Sequence, residues 1–558
     1  MASFLVRCFE PVCILVTTAF FRAPGLISQC ACLHAPMNSA HRWASLSCIL
    51  WHWRVLARYV VHTRTRWLVD MIPFLIRRGT VSVLACLLFF AAFARSEEPR
   101  RDQVLQATLK ATQFLTQQVS NEGGYLWAYS EDLQLREGEG VVKTNTIWVQ
   151  PPGTPTLGQC FVSLYRATGE QRFAEAAVET ATALISGQMR SGGWQAMVEF
   201  DPQRRRKWAY RADEPARKKK DQSSLDDDKT QSALRFLIDL DQALEFRNAK
   251  VHEAALYGLK GLLERGQLSG GGFPQVWTDQ RLPEDETPSR VASVPDQWPR
   301  TYPGHQQYWS RYTLNDHLAP DVMQLLLLAD CVYDDPRYLT AARRLADSLL
   351  ESQLPDPQPA WAQQYNQQMQ PIWARKFEMP AIASSESFGV MRSLMMIARH
   401  TGEQRYLRPI PKALDYFERS RLPNGQLARF YELKSNRPIY FTKDYQLTYS
   451  DADLPTHYGF KISDQCPRLR QSHLKLAREL TSERQGASVT LLVYLPSSLP
   501  VSEQRVKTVI DAMDSCGAWL SDLPMRYHKH SGPTIFMKET AKNLQLLASF
   551  LAANPSDR

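Results

Sequence analysis

The chain has 558 residues, of which 44% are apolar and 22% are charged, so it is long and apolar enough to bury a sizeable core. Its formal charge is +9, but residues 1–94 carry nine arginines, no lysine and two acidic residues, which leaves about +2 for the rest. A near-neutral body behind a basic leader argues against a nucleic-acid-binding surface and is typical of a targeted protein.

Residues 71–96 have the pattern of a signal peptide. Arg77 and Arg78 form a positive region, residues 81–92 are apolar, and Ala-Phe-Ala at 92–94 is a small-x-small cleavage signal. The apolar run is shorter than the roughly 20 residues that a membrane span requires. We therefore predict 71–96 to be a signal peptide or N-terminal anchor and 1–70 to be a non-native upstream extension or disordered leader. The mature chain is predicted to be secreted or periplasmic, with no stable membrane span.

The mature chain is predicted to consist of helix pairs. Four segments share a basic residue, an Ala/Leu-rich helix and a turn with Gly or Pro; they begin at Arg172, Lys250, Arg337 and Arg405. Another helix is predicted before each of them, near 156–168, 228–244, 315–332 and 385–400. Helix pairs whose turns return to the same end close into a ring. We therefore predict an all-α fold, an α/α toroid (an incomplete α/α barrel of helix-pair repeats), with an open solenoid as the alternative.

The toroid domain is predicted to span 97–470, and residues 471–558 are predicted to be C-terminal helices that complete it or dock on it. One stretch, 487–495, has a strand-like composition. Three long insertions interrupt the repeat, at 204–228, 276–314 and 355–384. Loops of this length inside a compact domain are usually functional or disordered, and their many aromatic residues argue against disorder. Functional residues are therefore expected in these insertions.

Six short motifs, in this order, resemble those of the pectic acid lyases, polysaccharide lyase family ten. They are GGGFPQ at 270–275, YTLND at 312–316, WAQQY at 361–365, WARKFEMP at 373–380, LARFYE at 427–432 and NRPIY at 436–440. Each motif alone is weak, whereas their common order is specific. The resemblance implies an α/α toroid, dependence on Ca²⁺ and cleavage of polygalacturonate. The chain is then expected to act on an acidic polysaccharide, without nucleic acid, as a monomer.

The resemblance implies a calcium site built from oxygen ligands, which calcium prefers. Asn315 and Asp316 are the first candidates, and Asp227 and Asp228 are the second pair, with the choice between those two left open. Helix capping is the structural alternative for each, because Asn and Asp are favoured at helix N-termini. Lys229, directly after the acidic triplet, departs from the family's pattern, as does Leu314, and Lys229 is assigned to substrate binding.

The family also implies an arginine base, and by position Arg375 is the candidate. Because the pKa of arginine normally exceeds about 12, the alternative is that Arg375 only clamps a substrate carboxylate. Arg429 and Arg437 are predicted to bind substrate carboxylates. Phe273 and Trp361 are predicted to stack on sugar rings, with packing in the core as the alternative.

Two other functions remain open from the sequence. A glycoside or uronyl hydrolase on the same toroid would need a carboxylate pair, for which Glu378, Glu386 and Asp316 are available. A non-catalytic protein that binds acidic polysaccharide would have kept the toroid and lost the base. Arg375 close to Asn315 and Asp316 would argue against the second alternative.

Overall fold

A computed structural model describes residues 100–215, 219–280, 291–481 and 501–555, which all lie in one structural unit, Glu97–Arg558. The predicted leader 1–70, the predicted signal 71–96 and the strand-like stretch 487–495 lie outside the described residues. In the described part of the chain, no helix is both long and apolar enough to cross a membrane. The division into a domain at 97–470 and C-terminal helices at 471–558 stays a prediction.

The helices form two layers. The inner helices are α2 Thr154–Thr168, α4 Lys229–Ala243, α6 Leu318–Tyr333, α8 Ser384–Thr401, α10 Cys466–Thr481 and α12 Met537–Ala553. The outer helices are α1 Arg101–Phe114, α3 Gln171–Ser186, α5 Ala249–Gly261, α7 Pro336–Glu351, α9 Ile410–Arg419 and α11 Glu503–Asp511. The inner helices pack side by side in the order α12, α2, α4, α6, α8, α10, and each outer helix packs behind them. This is the predicted α/α toroid.

The two layers differ in the sequence of their helices. Helix α6 of the inner layer is buried almost all round, because it packs on two inner neighbours and on α7 behind it. Helix α3 of the outer layer buries one face, including Phe173, Ala177, Ala181 and Leu184, at the helical spacing expected from the sequence. Gly169 ends α2 with a φ of 71°, a left-handed conformation that glycine adopts without strain.

Short antiparallel strands lie at one end of the ring. Pairs are formed by β4 Thr146–Trp148 with β5 Met197–Glu199, β6 Ser223–Ser224 with β7 Val276–Trp277, β8 Tyr312–Thr313 with β9 Gln364–Tyr365, and β11 Leu427–Ala428 with β15 Lys461–Ile462. One four-stranded sheet has the order β16 Thr534–Phe536, β1 Ala128–Ser130, β2 Arg136–Gly138, β3 Gly140–Val141. The other has the order β10 Ala381–Ala383, β12 Phe430–Glu432, β13 Pro438–Phe441, β14 Leu447–Thr448.

A short strand precedes every inner helix, so the residues between strand and helix lie at the same end of the ring. Most of these strands pair with a strand that follows an outer helix, as β8 Tyr312–Thr313 does with β9 Gln364–Tyr365. The pairing of β16 with β1 joins the C-terminal part of the toroid to its N-terminal part, and α12 packs on α1. Residues directly before the inner helices are therefore held close together, and their helix N-termini favour negative charge.

Candidate active site

Three carboxylates converge at the N-terminal ends of two neighbouring inner helices. Asp226 and Asp227 precede α4, and Asp316 precedes α6. Oxygen atoms of the three carboxylates lie within 4.8 Å of one another. The backbone turns sharply there, with φ of 47° at Asp227 and 49° at Asp316, a left-handed conformation that Asp tolerates better than most residues. We call Asp226, Asp227 and Asp316 the carboxylate cluster.

Neighbouring side chains hold the carboxylates of Asp226 and Asp227 in place. The Gln150 side-chain amide donates to Asp227 Oδ2 at 3.0 Å, and that of Gln275 donates to Asp226 Oδ1 at 2.5 Å. The Lys229 ammonium group lies 2.7 Å from Asp226 Oδ2 and 3.9 Å from Asp227 Oδ2. Each carboxylate oxygen that is held in this way has a defined direction, which a ligand-binding site requires.

Burial and mutual repulsion act on the ionisation of the cluster. Burial raises the pKa of Asp316 well above its usual range, and Asp226 and Asp227 add to this while Arg375 opposes it. Burial and the charge of Asp226 also raise the pKa of Asp227. Burial acts on Asp226 too, but Lys229 and the hydrogen bond from Gln275 outweigh it, so the pKa of Asp226 is lowered. Crowded carboxylates of this kind attract a cation.

Arg375 lies beside the cluster, on the insertion between α7 and α8. Its Nη2 atom is 3.8 Å from Asp316 Oδ2, while its Nε and Nη2 atoms donate to the Glu378 carboxylate at 2.8 and 2.5 Å. Burial lowers the pKa of Arg375, but the ion pair with Glu378 and the charge of Asp316 outweigh it, so the pKa lies above its usual range. The sequence-predicted base and the sequence-predicted ligand Asp316 are therefore neighbours.

Arg429 lies close to Arg375, and Tyr458 connects the two. The guanidinium carbon of Arg429 is 4.6 Å from the centre of the Tyr458 ring, and that of Arg375 is 5.7 Å from it. The Tyr458 hydroxyl donates to Glu378 Oε1 at 2.9 Å, and Arg429 Nη2 donates to Glu386 Oε1 at 2.7 Å. Two arginines on one aromatic ring form a surface that suits an anionic substrate.

Two buried amides lie next to this site. Asn315, a predicted metal ligand, is 2% exposed, and Gln363 is 6% exposed. The backbone N–H of Leu314 donates to the carbonyl of Gln363 at 2.9 Å, which places these two segments side by side. Neither amide has a hydrogen-bond partner among the described residues. Because buried amides are nearly always paired, unpaired ones of this kind suggest contact with water, an ion or a substrate.

Two sequence-predicted site residues do not join the cluster. Asp228 points elsewhere, because its Oδ2 atom accepts from Arg235 at 2.5 Å. The guanidinium group of Arg437 is exposed and stacks on the Tyr449 ring at 3.4 Å from its centre. Of the predicted pair Asp227 and Asp228, only Asp227 joins the cluster, together with Asp226. Arg437 lies on a turn between β12 and β13.

Asp321 lies close to Asp228, and its ionisation is expected to make the stability of the fold depend on pH. Burial and the charge of Asp228 raise the pKa of Asp321 to about 7, while Arg235 opposes the shift. The stability that protonated Asp321 contributes is complete below the unfolded pKa of about 4 and is lost as the pH rises through about 7. We expect Asp321→Asn to raise the free energy of unfolding in chelator at about pH 8 by roughly 1–3 kcal/mol and to leave it unchanged near pH 4.

Urea unfolding at the two pH values checks this expectation. Asp334→Asn is the matched control, because Asp334 is exposed at the other end of the same helix. An equal effect of Asp321→Asn at both pH values would contradict the assigned cause.

The predicted stacking role of Phe273 and Trp361 is corrected by the structure. Phe273 is 1% exposed and Trp361 is 0% exposed, and the indole N–H of Trp361 donates to the carbonyl of Leu349 at 2.8 Å. Both side chains belong to the buried hydrophobic core, so neither presents a face to a sugar. The alternative of core packing, stated with the prediction, is the correct one.

Gln275, Glu378 and Tyr458 are site residues to which the sequence analysis assigned no role in this site. Gln275 is the last residue of the GGGFPQ motif at 270–275, and its side chain reaches the carboxylate cluster. Gly272 of the same motif packs directly on the Tyr312 ring, so the turn itself serves packing. Glu378 belongs to the WARKFEMP motif and was considered only as a hydrolase acid. Tyr458 has no motif around it, and only the fold brings it to Arg375.

The comparisons with known proteins agree with these motifs. No curated protein matches the chain. Two solved structures of a family 10 polysaccharide lyase from Cellvibrio cellulosa, one of them a mutant in complex with trigalaturonic acid, are 19% and 18% identical to it. They cover 54% of this chain and 91% and 92% of their own, with TM-scores of 0.39.

A D-mannose isomerase structure is 14% identical, covers 82% of this chain and 100% of its own, and has a TM-score of 0.41. These structural similarities are too distant to carry an argument about function. The family model described as pectic acid lyase matches residues 294–427, which include Asp316, Arg375 and Glu378. This match supports the resemblance to the pectic acid lyases over residues 294–427, and a polysaccharide lyase as the class of enzyme.

Proposed function

We propose that the protein is a pectate lyase that cleaves polygalacturonate by calcium-assisted β-elimination. The observation that carries the proposal is the carboxylate cluster with Arg375 beside it, 3.8 Å from Asp316. The match of residues 294–427 to the pectic acid lyase family model also supports the proposal. The substrate, the ion, the arginine base and export of the mature chain are all parts of this proposal.

The donor set fits calcium. Calcium binds six to eight oxygen atoms at about 2.4 Å, so two of its ligands lie at most about 4.8 Å apart. The oxygens of Asp226, Asp227 and Asp316 lie within 4.8 Å of one another, which satisfies this limit, and the unpaired amide of Asn315 directly precedes Asp316 in the chain. No sulfur or imidazole ligand belongs to this group, which argues against zinc.

The reaction requires removal of the C5 proton of a uronate and loss of the oxygen at C4. A bound calcium ion would offset the charge of the C6 carboxylate and so acidify the neighbouring C5–H. Arg375 is assigned to take the proton from C5. The C5–H electrons form the C4–C5 double bond, the C4–O bond breaks, and the departing oxygen takes a proton from solvent. Arg429, which also lies against the Tyr458 ring, is assigned to hold a substrate carboxylate.

The ionisation of Arg375 predicts alkaline activity. Its ion pair with Glu378 favours the protonated guanidinium, so the free base forms only at high pH. Calcium on Asp316 would weaken this preference by offsetting one of the two carboxylates that stabilise the proton. The rate is therefore expected to rise toward alkaline pH only when calcium is present.

A hydrolase with a carboxylate pair fits the site less well. Glycosidases need two carboxyl groups about 5 to 9.5 Å apart that both face the sugar. Glu378 and Glu386 accept short hydrogen bonds from Arg375 and Arg429 and point their oxygens at these partners. A non-catalytic binding protein would have no need of Arg375 beside Asp316.

The first test is the ultraviolet absorbance of unsaturated uronate released from polygalacturonate. We expect absorbance to appear with calcium, to rise from about pH 7 to about pH 10, and to disappear on chelation. New reducing ends without this absorbance would indicate a hydrolase. Binding of polygalacturonate without any product would indicate the non-catalytic alternative.

A further inference from the structure

Lys229 brings a positive charge into the carboxylate cluster. It is the first residue of α4, and its side chain is 7% exposed. Its ammonium nitrogen lies 2.7 Å from Asp226 Oδ2 and 3.9 Å from Asp227 Oδ2. These are distances of an ion pair with Asp226 and of close electrostatic contact with Asp227, inside the group of oxygens that would hold a divalent cation.

The local helix does not explain the position of this lysine. The N-terminus of a helix carries partial positive charge, which disfavours a cation in its first turn, and burial of an ammonium group adds to this cost. Asp226 and Asp227 are the groups that compensate Lys229. In turn, Lys229 reduces the repulsion among the carboxylates, as the lowered pKa of Asp226 also reflects.

We infer that Lys229 is an internal counter-cation of the carboxylate cluster that competes with calcium for Asp226 and Asp227. This inference rests on the proposed calcium site. When fully ionised, the cluster carries three negative charges, and the ammonium group of Lys229 neutralises one of them. An entering divalent ion would meet this ammonium within a few ångströms, so the ammonium must move away from Asp226 for calcium to bind. Calcium affinity follows the charge count of a site, and Lys229 therefore weakens it.

The competition has two opposite consequences that a simple structural ion pair does not have. Without calcium, removal of the ammonium leaves Asp226 and Asp227 without the positive charge of Lys229, so the fold becomes less stable. With calcium, the same removal abolishes a repulsion, so the ion binds more tightly. An ion pair that only stabilises the fold would produce the first effect without the second.

The test is calcium binding by isothermal titration calorimetry, together with thermal unfolding in calcium and in chelator. Lys229→Met is expected to bind calcium at least about ten times more tightly than the unchanged protein, and to unfold at a lower temperature in chelator. Lys229→Arg keeps the charge and is expected to bind as weakly as the unchanged protein. Lys461→Met is the matched control, because Lys461 forms an ion pair with Asp451 at 2.6 Å outside the cluster.

The outcomes separate this inference from the proposed function. If the unchanged protein binds calcium and Lys229→Met binds it equally or less tightly, the inference is wrong and the proposed function stands. If only Lys229→Met binds calcium, the inference holds and calcium is not the cofactor of the natural protein. If no variant binds calcium, both are wrong. Should Lys229→Met not fold in chelator, Lys229→Gln in the same titration replaces it.

Discussion

Replacement of Arg375 by alanine is expected to lower kcat/KM on polygalacturonate by about a thousandfold or more, because a positioned base contributes roughly 10² to 10⁴ in rate. The same change leaves Glu378, whose side chain is 1% exposed, as a buried carboxylate without its bidentate partner. Breaking a buried pair on one side costs about 3–5 kcal/mol of stability. Activity and the free energy of unfolding must therefore be measured on the same preparation.

A double variant separates the two effects. Arg375→Met with Glu378→Gln removes both charges, so stability is expected to return toward that of the unchanged protein while activity stays low. If the double variant regains activity along with stability, Arg375 is only a structural residue.

Arg375→Lys distinguishes a base from a carboxylate clamp. Lysine has a usual pKa of about 10.4, below that of arginine, so a lysine base would shift the alkaline rise of the pH–rate profile to lower pH. A clamp would lose affinity for substrate through its missing second N–H donor, with the pH profile unchanged. The profile of kcat/KM against pH, measured at saturating calcium, decides between the two roles.

The sequence predicted the fold better than the site because the two depend on different information. Helix pairs can be recognised from short stretches of sequence. A single repeat shows the apolar face of α3 Gln171–Ser186, and another shows the start of α7 Pro336–Glu351 near Arg337. The ring follows from the repetition of these helix pairs, because each inner helix covers only part of the surface of its neighbours. The short strands before the inner helices were not predicted, because two or three residues carry no recognisable alternation.

The direction of each acidic side chain in the triplet depends on backbone angles that spacing does not show. Asp227 and Asp228 both have positive φ, at 47° and 62°, so the chain reverses within two residues. This reversal sends Asp226 and Asp227 into the cluster and turns Asp228 toward Arg235. From the sequence, any two of the three could have been ligands.

The aromatic residues show a second limit of the sequence. Trp361 and Phe273 follow glycine- or proline-rich turns, and such residues pack in the core as readily as they stack on sugars. In contrast, Tyr458, whose ring is close to both Arg375 and Arg429, has no motif around it. Its role depends on a contact across some 80 residues of chain, which only the closed toroid provides.

Replacement of Asp316 by asparagine is expected to weaken calcium binding by about a hundredfold and to reduce lyase activity in proportion at limiting calcium, because calcium affinity depends on the charge and number of its ligands. Asparagine has nearly the same shape and tolerates the left-handed φ of 49° at this position, so the backbone is expected to stay as it is. Calorimetric titration with calcium gives the affinity directly.

Stability supplies an independent readout for Asp316→Asn. Because burial and the neighbouring Asp226 and Asp227 raise the pKa of Asp316, its ionisation opposes folding, and the stability of the protonated form is lost as the pH rises through that pKa. In chelator at alkaline pH, the variant is therefore expected to unfold at a higher temperature than the unchanged protein. In saturating calcium the order reverses, since the unchanged protein gains more from the ion.

The matched control for Asp316→Asn is Asp228→Asn, two residues from Asp226 in the chain. Asp228 also has a positive φ that asparagine tolerates, but its carboxylate pairs with Arg235 outside the cluster. We expect Asp228→Asn to change the stability of the fold and to leave calcium affinity within about twofold of that of the unchanged protein. Loss of calcium binding in Asp228→Asn with full binding in Asp316→Asn would mean that the ion lies at Asp228 and not in the carboxylate cluster, and the proposed calcium site would be wrong.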